Sequence, residues 1–174
     1  MKRKTIIIIV VIIAVLIIGY FTYLKMYPEV AFKIAAKKAS KFYSKEIIQN
    51  CEKIFRLESA NFTSGQFLGT WSPGMEKFSD TYPYGWKTLA KNLWDTNPLT
   101  KPIGLKTFTE NRTGIQKTFL KFPSLNASVF TVCKFLELNG NQPARWYSTN
   151  ADSMAKYQTS LDGIATPLTN EALA

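Results

Sequence analysis

The sequence predicts a mainly α-helical domain that follows a single transmembrane helix. Residues 5–24 carry no charge and are dominated by isoleucine and valine, and about twenty apolar residues are enough to span a bilayer as a helix. Two later stretches, 45–58 and 125–138, repeat their apolar residues at helical spacing. The region 59–118 is rich in glycine and proline, which predicts loops, short helices and a small hairpin.

The apolar segment 5–24 is interpreted as an uncleaved signal anchor within an N-terminal unit of residues 1–27. The basic start of residues 1–4 favours a cytoplasmic N-terminus, which would place the domain outside the cell membrane. Lysines on both sides of the segment reduce the charge asymmetry on which this orientation depends. A cleaved signal peptide is the alternative, but the apolar run is longer than a usual signal-peptide core and residues 19–23 offer no small-residue cleavage site.

The helices of the domain have local start and stop signals. Residues 30–42 suit a helix with a lysine-rich outer face, and Ser44 is a plausible N-cap for the helix over 45–58. The helix over 125–138 ends at an Asn-Gly pair, which commonly terminates helices. A last helix is expected from residue 152 to about residue 163.

Residues 28–166 are therefore predicted to form the domain, and residues 167–174 a flexible tail. Within the last helix, Met154, Tyr157 and Leu161 share one apolar face, because they are spaced three and four residues apart.

The composition restricts the chemistry. The chain has no histidine, which excludes Ser-His-Asp and Cys-His catalysis and histidine-based metal sites. Two cysteines cannot form a zinc site by themselves, so neither a metal nor another cofactor is expected. The net charge of +10 suits an anionic partner such as cell-wall polymers or lipid headgroups. Nucleic acid is not expected as a partner, because no motif for it is present.

The two cysteines lie in apolar stretches of the sequence. Cys51 shares an apolar helix face with Ile47 and Ile54, and Cys133 lies in the apolar run of the helix over 125–138. Two buried thiols are the first interpretation. A disulfide joining them is the alternative outside the cell, although a pairing cannot be inferred from sequence alone.

Glu58 follows an apolar helix face and is the first candidate for a catalytic residue. The preceding members of that face are Ile47, Ile48, Cys51, Ile54 and Phe55. A carboxylic acid at the end of such a face is costly to ionise, since burial disfavours the charged form. An acid that stays protonated near neutral pH can act as a general acid. The alternative is that the helix ends there and Glu58 points to water.

Residues 56–64, with the sequence Arg-Leu-Glu-Ser-Ala-Asn-Phe-Thr-Ser, resemble the catalytic segment of the bacterial and phage glucosaminidase family. These proteins are peptidoglycan hydrolases of the lysozyme superfamily, with a domain like that of mannosyl-glycoprotein endo-β-N-acetylglucosaminidase. The family pattern is a helix that ends in Glu-Ser/Thr-Gly and continues as Asn-Phe-Thr-Ser. Ala60 stands here in place of the usual glycine.

Three further segments extend the resemblance to roughly residues 30–166. Residues 71–75 are similar to the Asn-Pro-Phe-Gly-Met loop of the family, without its asparagine and phenylalanine. Residues 121–129 resemble the entry to the next helix, and residues 145–150 resemble the Tyr-Ala-Thr-Asp segment before the final helix. The stretch 76–118 has no convincing match.

The resemblance implies a lysozyme-like, two-lobed fold with Glu58 as the general acid, and Tyr147 falls where the family places a tyrosine that lines the cleft. The second catalytic role stays open. Glu76 is preferred among four acids of the irregular middle, the others being Asp80, Asp95 and Glu110. Such a carboxylate could activate water or attack directly. The 2-acetamido group of the substrate or the muramyl 6-hydroxyl could take its place.

Aromatic side chains are the other candidates for substrate contact, because sugars are held by aromatic faces. Trp71 and Tyr82 join Tyr147 as predicted sugar-binding residues, whereas Trp94 and Trp146 are better explained by core packing. The expected function is a membrane-anchored hydrolase that cleaves the glycan strands of peptidoglycan. A non-catalytic lysozyme-like module that binds the wall or serves as a scaffold is the alternative.

Overall fold

The computed structural model of the chain describes residues 3–75, 89–109 and 114–174, and these residues are mostly helical. Their α-helices are α1 (Arg3–Met26), α2 (Pro28–Ala39), α3 (Lys45–Glu58), α4 (Gly65–Thr70), α5 (Leu125–Leu138), α6 (Ala151–Asp162) and α7 (Pro167–Leu173). Shorter helical turns cover Ala90–Trp94, Pro98–Thr100 and Pro143–Trp146. The predicted mainly α-helical class is confirmed.

Two strands form a small antiparallel hairpin beside the helices. Strand β1 (Gly104–Thr109) pairs with β2 (Gln116–Lys121), with Leu105 opposite Leu120. The hairpin packs against α4. The backbone N–H of Leu120 donates to the carbonyl of Met75 at 2.9 Å, so β2 is also tied to the loop that follows α4.

Helix α1 contains a segment that could span a membrane. Thr5–Leu24 has a mean hydropathy of 3.0, and its side chains are exposed along almost the whole helix. Its length and composition suit a membrane span, and a signal sequence near the N-terminus has the same properties. Leu24, at the end of the segment, packs against the domain core.

The domain core lies between α2, α3, α5 and α7, and small residues let the helices approach. The buried face of α2 is rich in alanine, and it packs against α5 and α7. Helix α3 packs against α5, α6 and α7. Next to α3 a cluster of four buried phenylalanines has ring centroids between 5.4 and 6.2 Å apart; its members are Phe32, Phe55, Phe62 and Phe67. Each ring contributes roughly 1.5–3 kcal/mol by its burial.

The C-terminal residues differ from the flexible tail that the sequence predicts. Pro167–Leu173 form α7, which packs against α2 and α3. The fully buried carboxylate of Glu52 accepts the backbone N–H groups of Leu168 and Thr169 at 3.1 and 2.7 Å. Arg56 donates to the same carboxylate at 2.9 Å. The buried Glu52 carboxylate is thereby compensated by three hydrogen-bond donors. Two of these donors are backbone N–H groups of α7, so the carboxylate fixes the first turn of that helix.

Candidate active site

Glu58 is the last residue of α3, and the turn after it fixes that position. Helix α3 starts at Ser44, whose hydroxyl accepts the N–H of Ile47 at 3.3 Å. At the other end the buried hydroxyl of Ser59 donates to the carbonyl of Phe55 and accepts the N–H of Phe62 at 2.7 Å. Residues 60–62 then adopt left-handed backbone conformations, with φ of 50°, 54° and 67°. The chain reverses immediately after Glu58, and this leaves its half-buried side chain at the helix end.

A buried loop passes directly beside the Glu58 carboxylate. Gly74 lies in this loop with φ of 73°, a conformation that favours glycine. A Cβ at this position would lie 2.9 Å from Oε2 of Glu58, so a side chain there would have to displace the carboxylate. The hydroxyl of Ser72 accepts the N–H of Met75 at 3.0 Å, and the indole of Trp146 donates to the carbonyl of Pro73 at 3.1 Å. These bonds hold the loop against the carboxylate.

Tyr157 contacts the other oxygen of Glu58. Its hydroxyl donates to Oε1 at 2.6 Å. Tyr157 lies in α6 and is only 7% exposed. The carboxylate is therefore held between a phenol on one side and a backbone loop on the other.

Tyr147 covers the ring of Tyr157. The two rings are nearly parallel, with an interplanar angle of 7° and centroids 5.1 Å apart, which is an offset-stacked arrangement. Tyr147 is 61% exposed. One tyrosine is thus buried against the acid while the other presents an aromatic face to solvent. We call Glu58, Gly74, Tyr147 and Tyr157 the Glu58 cluster.

The structure brings together some of the predicted site residues. Glu58 and Tyr147 are joined through Tyr157. Trp71 is half-buried, ends α4 and lies edge-on against Phe67 at 5.5 Å, three residues before the glycine that touches Glu58. The predicted second carboxylate Glu76 and the predicted sugar-binding residue Tyr82 lie outside the described residues, as do Asp80 and Glu110.

The remaining candidates from the sequence, Trp94, Trp146 and Asp95, are not members of the Glu58 cluster. Trp94 is buried, and its indole donates to the hydroxyl of Thr131 at 3.1 Å, so core packing explains it. Trp146 is half-buried and lies perpendicular to Phe135 at 5.1 Å. Asp95 is exposed just after the helical turn of Ala90–Trp94.

Sequence reasoning assigned no part in the site to the Tyr157 hydroxyl or to Gly74. Tyr157 was placed on an apolar helix face, and a buried tyrosine usually needs a partner for its hydroxyl. The sequence therefore indicates that the Tyr157 hydroxyl has a hydrogen-bond partner, but it does not indicate which residue that partner is. The partner Glu58 is 99 positions away in the chain. Glu52 was missed for the same reason, because its backbone partners in α7 are 116 and 117 positions away.

The part of the chain that the structure describes contains no group of three or more histidine, cysteine or acidic side chains placed to hold a metal ion. Comparison of the chain with protein-family models, with curated proteins and with solved structures found no match.

Proposed function

We propose that the chain is a membrane-anchored peptidoglycan hydrolase that cleaves the glycan strand, with Glu58 as its general acid. The observation that carries this proposal is the position of the Glu58 carboxylate. One of its oxygens accepts the Tyr157 hydroxyl, the other lies beside the Gly74 loop, and the exposed ring of Tyr147 stacks on Tyr157. The family resemblance of residues 56–64 supports the same role.

Cleavage of a glycosidic bond requires a proton for the leaving oxygen and stabilisation of a positively charged sugar ring. The Tyr157 hydrogen bond fixes the orientation of the Glu58 carboxyl group through Oε1. Gly74 has no Cβ to displace Oε2 from its observed position, and the carboxyl group in that position is the proposed proton donor. Such a carboxyl group is positioned before the substrate arrives, and this removes reorganisation from the reaction.

The exposed ring of Tyr147 is the proposed platform for a sugar. It stacks on Tyr157, whose hydroxyl contacts the acid, and it is 61% exposed. Trp71 and Tyr82 are the further proposed sugar contacts. The domain that carries these residues is proposed to have a lysozyme-like, two-lobed shape, with the β1–β2 hairpin beside the helices supporting a second lobe.

The second catalytic role is proposed for Glu76, which follows Gly74 by two positions in the chain. It would activate water or attack the sugar directly. The substrate can also supply this role itself, through its 2-acetamido group or the muramyl 6-hydroxyl. The bond that is cleaved, and whether the reaction is hydrolysis or transglycosylation, follow from the masses of the products.

The proposed location is the cell membrane, with a single span over Thr5–Leu24 and the domain on the outer side. This places the Glu58 cluster in the compartment that contains the wall. The excess of lysine and arginine, 22 against 12 acidic residues, suits the anionic polymers of that compartment.

Digestion of isolated peptidoglycan by the full chain in mild detergent tests the proposal. Wild type should release fragments whose masses identify the new ends, and anhydro ends would indicate a transglycosylase. Glu58→Gln should digest at least about a hundredfold more slowly, since general acid catalysis is typically worth roughly 10²–10⁴-fold. Its thermal stability should hold or rise, because a half-buried catalytic carboxylate commonly costs stability.

Glu46→Gln is the matched control, because it makes the same chemical change at an exposed position of the same helix. It should digest peptidoglycan at about the wild-type rate. Equal rates for Glu58→Gln and wild type would exclude Glu58 as the general acid.

A non-catalytic module that binds the wall or a scaffold partner is the second candidate. It is favoured by the exposed apolar side chains of Leu99, Ile103 and Leu105 at the start of the hairpin. Large exposed apolar residues that lie close together mark interaction surfaces. Co-sedimentation with peptidoglycan without any released fragment would support this candidate against the hydrolase.

A further inference from the structure

The two cysteines of the chain lie on helices that pack against each other. Cys51 is on α3 and Cys133 is on α5, and both side chains are fully buried. The Sγ atom of Cys51 lies 3.9 Å from the carbonyl oxygen of Val129. Val129 precedes Cys133 by one helical turn, so its carbonyl is the one that accepts the N–H of Cys133 in a regular helix.

This geometry places the thiol of Cys51 at the turn of α5 from which Cys133 projects. The Cβ of a helical residue tilts toward the N-terminal end of its helix, and for Cys133 that direction leads toward Val129. Both cysteines are free thiols in the structure, and the Cys133 side chain is near enough to influence the pKa of Cys51, so the two side chains are neighbours at the interface of α3 and α5.

We propose that these two cysteines are joined by an intramolecular disulfide in the exported chain. Disulfides form and persist outside the cytoplasm, where thiol–disulfide oxidoreductases act on exported proteins. The inference depends on the extracytoplasmic location proposed above but not on catalysis. Failure to digest peptidoglycan would leave it standing.

The oxidant is a thiol–disulfide oxidoreductase in its disulfide form. One thiolate attacks that disulfide and forms a mixed disulfide, and the second cysteine then displaces the oxidoreductase. Two S–H bonds are replaced by one S–S bond, while two electrons and two protons pass to the oxidoreductase, which leaves as a dithiol. The bridge closes a loop of about 80 residues and removes conformational freedom from the unfolded chain.

The surroundings of Cys51 determine when the reaction occurs. Burial raises the pKa of the Cys51 thiol well above its ordinary value, and the neighbouring Cys133 side chain adds to the effect. The thiolate is the reactive form, so the folded interior suppresses its reactivity. The bridge therefore forms during folding, before α3 and α5 close over the pair, and the folded protein then protects it.

Thiol trapping in cells tests the inference. The full chain is produced with its own anchor in a bacterial membrane, quenched with acid, denatured, and labelled with a maleimide polymer that shifts its mobility on a gel. Wild type should show no shift before reduction and two shifts after it. The variants Cys51→Ala and Cys133→Ala should each show one shift without reduction.

Two shifts in unreduced wild type would overturn the inference. A band of doubled mass that disappears on reduction would also overturn it, because the cysteines would then be joined between chains. The comparison of wild type before and after reduction does not depend on whether the alanine variants fold.

Discussion

The hydroxyl of Tyr157 donates to Oε1 of Glu58 at 2.6 Å, and this bond joins helices α6 and α3 across 99 positions of sequence. Tyr157 is almost completely buried, and its outer ring face is covered by Tyr147. A buried hydroxyl that contacts a carboxylate at the end of a helix controls the orientation of that carboxylate. Within the proposed function, Tyr157 is therefore a positioning residue that orients Glu58.

Tyr157→Phe removes this hydrogen bond and retains the ring. Digestion of peptidoglycan should slow by up to about tenfold, because a hydrogen bond is typically worth roughly 0.5–1.5 kcal/mol and about 1.4 kcal/mol corresponds to tenfold in rate. Wild-type digestion by a variant that remains folded would return Tyr157 to the role of a packing residue.

Tyr147 can be tested by separating its ring from its hydroxyl. Tyr147→Ala removes the exposed aromatic face and should lower kcat/KM by about tenfold, a loss of roughly 1.4 kcal/mol in transition-state binding. Tyr147→Phe retains the stack on Tyr157. A loss in this variant as well would assign a substrate contact to the hydroxyl, as the family resemblance suggests. If both variants match wild type, Tyr147 does not contact the sugar.

The sequence predicts the helices that have local signals and misses the contacts between distant residues. The expected helices over 45–58 and 125–138 occur as α3 and α5, because their apolar spacing and their serine N-caps are local features. The C-terminal helix α7 has no such cap. Its first turn is held by Glu52 from another helix.

The candidate site also has one part that a local sequence pattern indicates and another part that depends on contacts between distant residues. The helix face of Glu58 and the resemblance of the residues around it point to Glu58 from the sequence alone, and its catalytic role stays a prediction. Its neighbours Tyr157 and Gly74 lie on separate segments that only the tertiary fold brings together. A pattern along one helix contains no information about which distant segment packs over its end.

The buried carboxylate of Glu52 should control the docking of α7. Glu52→Gln removes the charge that the Arg56 guanidinium and two backbone N–H groups contact. The free energy of unfolding should fall by about 1.5–3 kcal/mol, since a hydrogen bond to a charged group is typically worth this much, and Arg56 retains its pair with Glu29 at 3.6 Å. Denaturant unfolding followed by circular dichroism measures this change.

Glu171→Gln is the control for that measurement, because it makes the same substitution within α7 itself. Glu171 is exposed and pairs with Lys33 at 3.0 Å on the surface, so its loss should cost less than about 1 kcal/mol. Equal unfolding midpoints for the two variants would show that Glu52 does not hold α7 in place.

Gly74 gives the most specific test of the Glu58 cluster, because the chain contains a second glycine with a similar backbone and different surroundings. Gly74 has φ of 73° and Gly140 has φ of 64°. An added Cβ would lie 2.9 Å from the Glu58 carboxylate at the first position and would meet nothing within 4 Å at the second. Gly74→Ala and Gly140→Ala should each lose roughly 1–2 kcal/mol of stability, since both place alanine in a left-handed conformation. Only Gly74→Ala displaces the carboxylate, so it alone should slow digestion by at least about tenfold.

Melting temperatures and digestion rates are measured on the same preparations, at a temperature where both variants are folded. Wild-type digestion by Gly74→Ala would mean that Glu58 does not need its observed position, whereas equal losses in both variants would attribute the effect to stability alone.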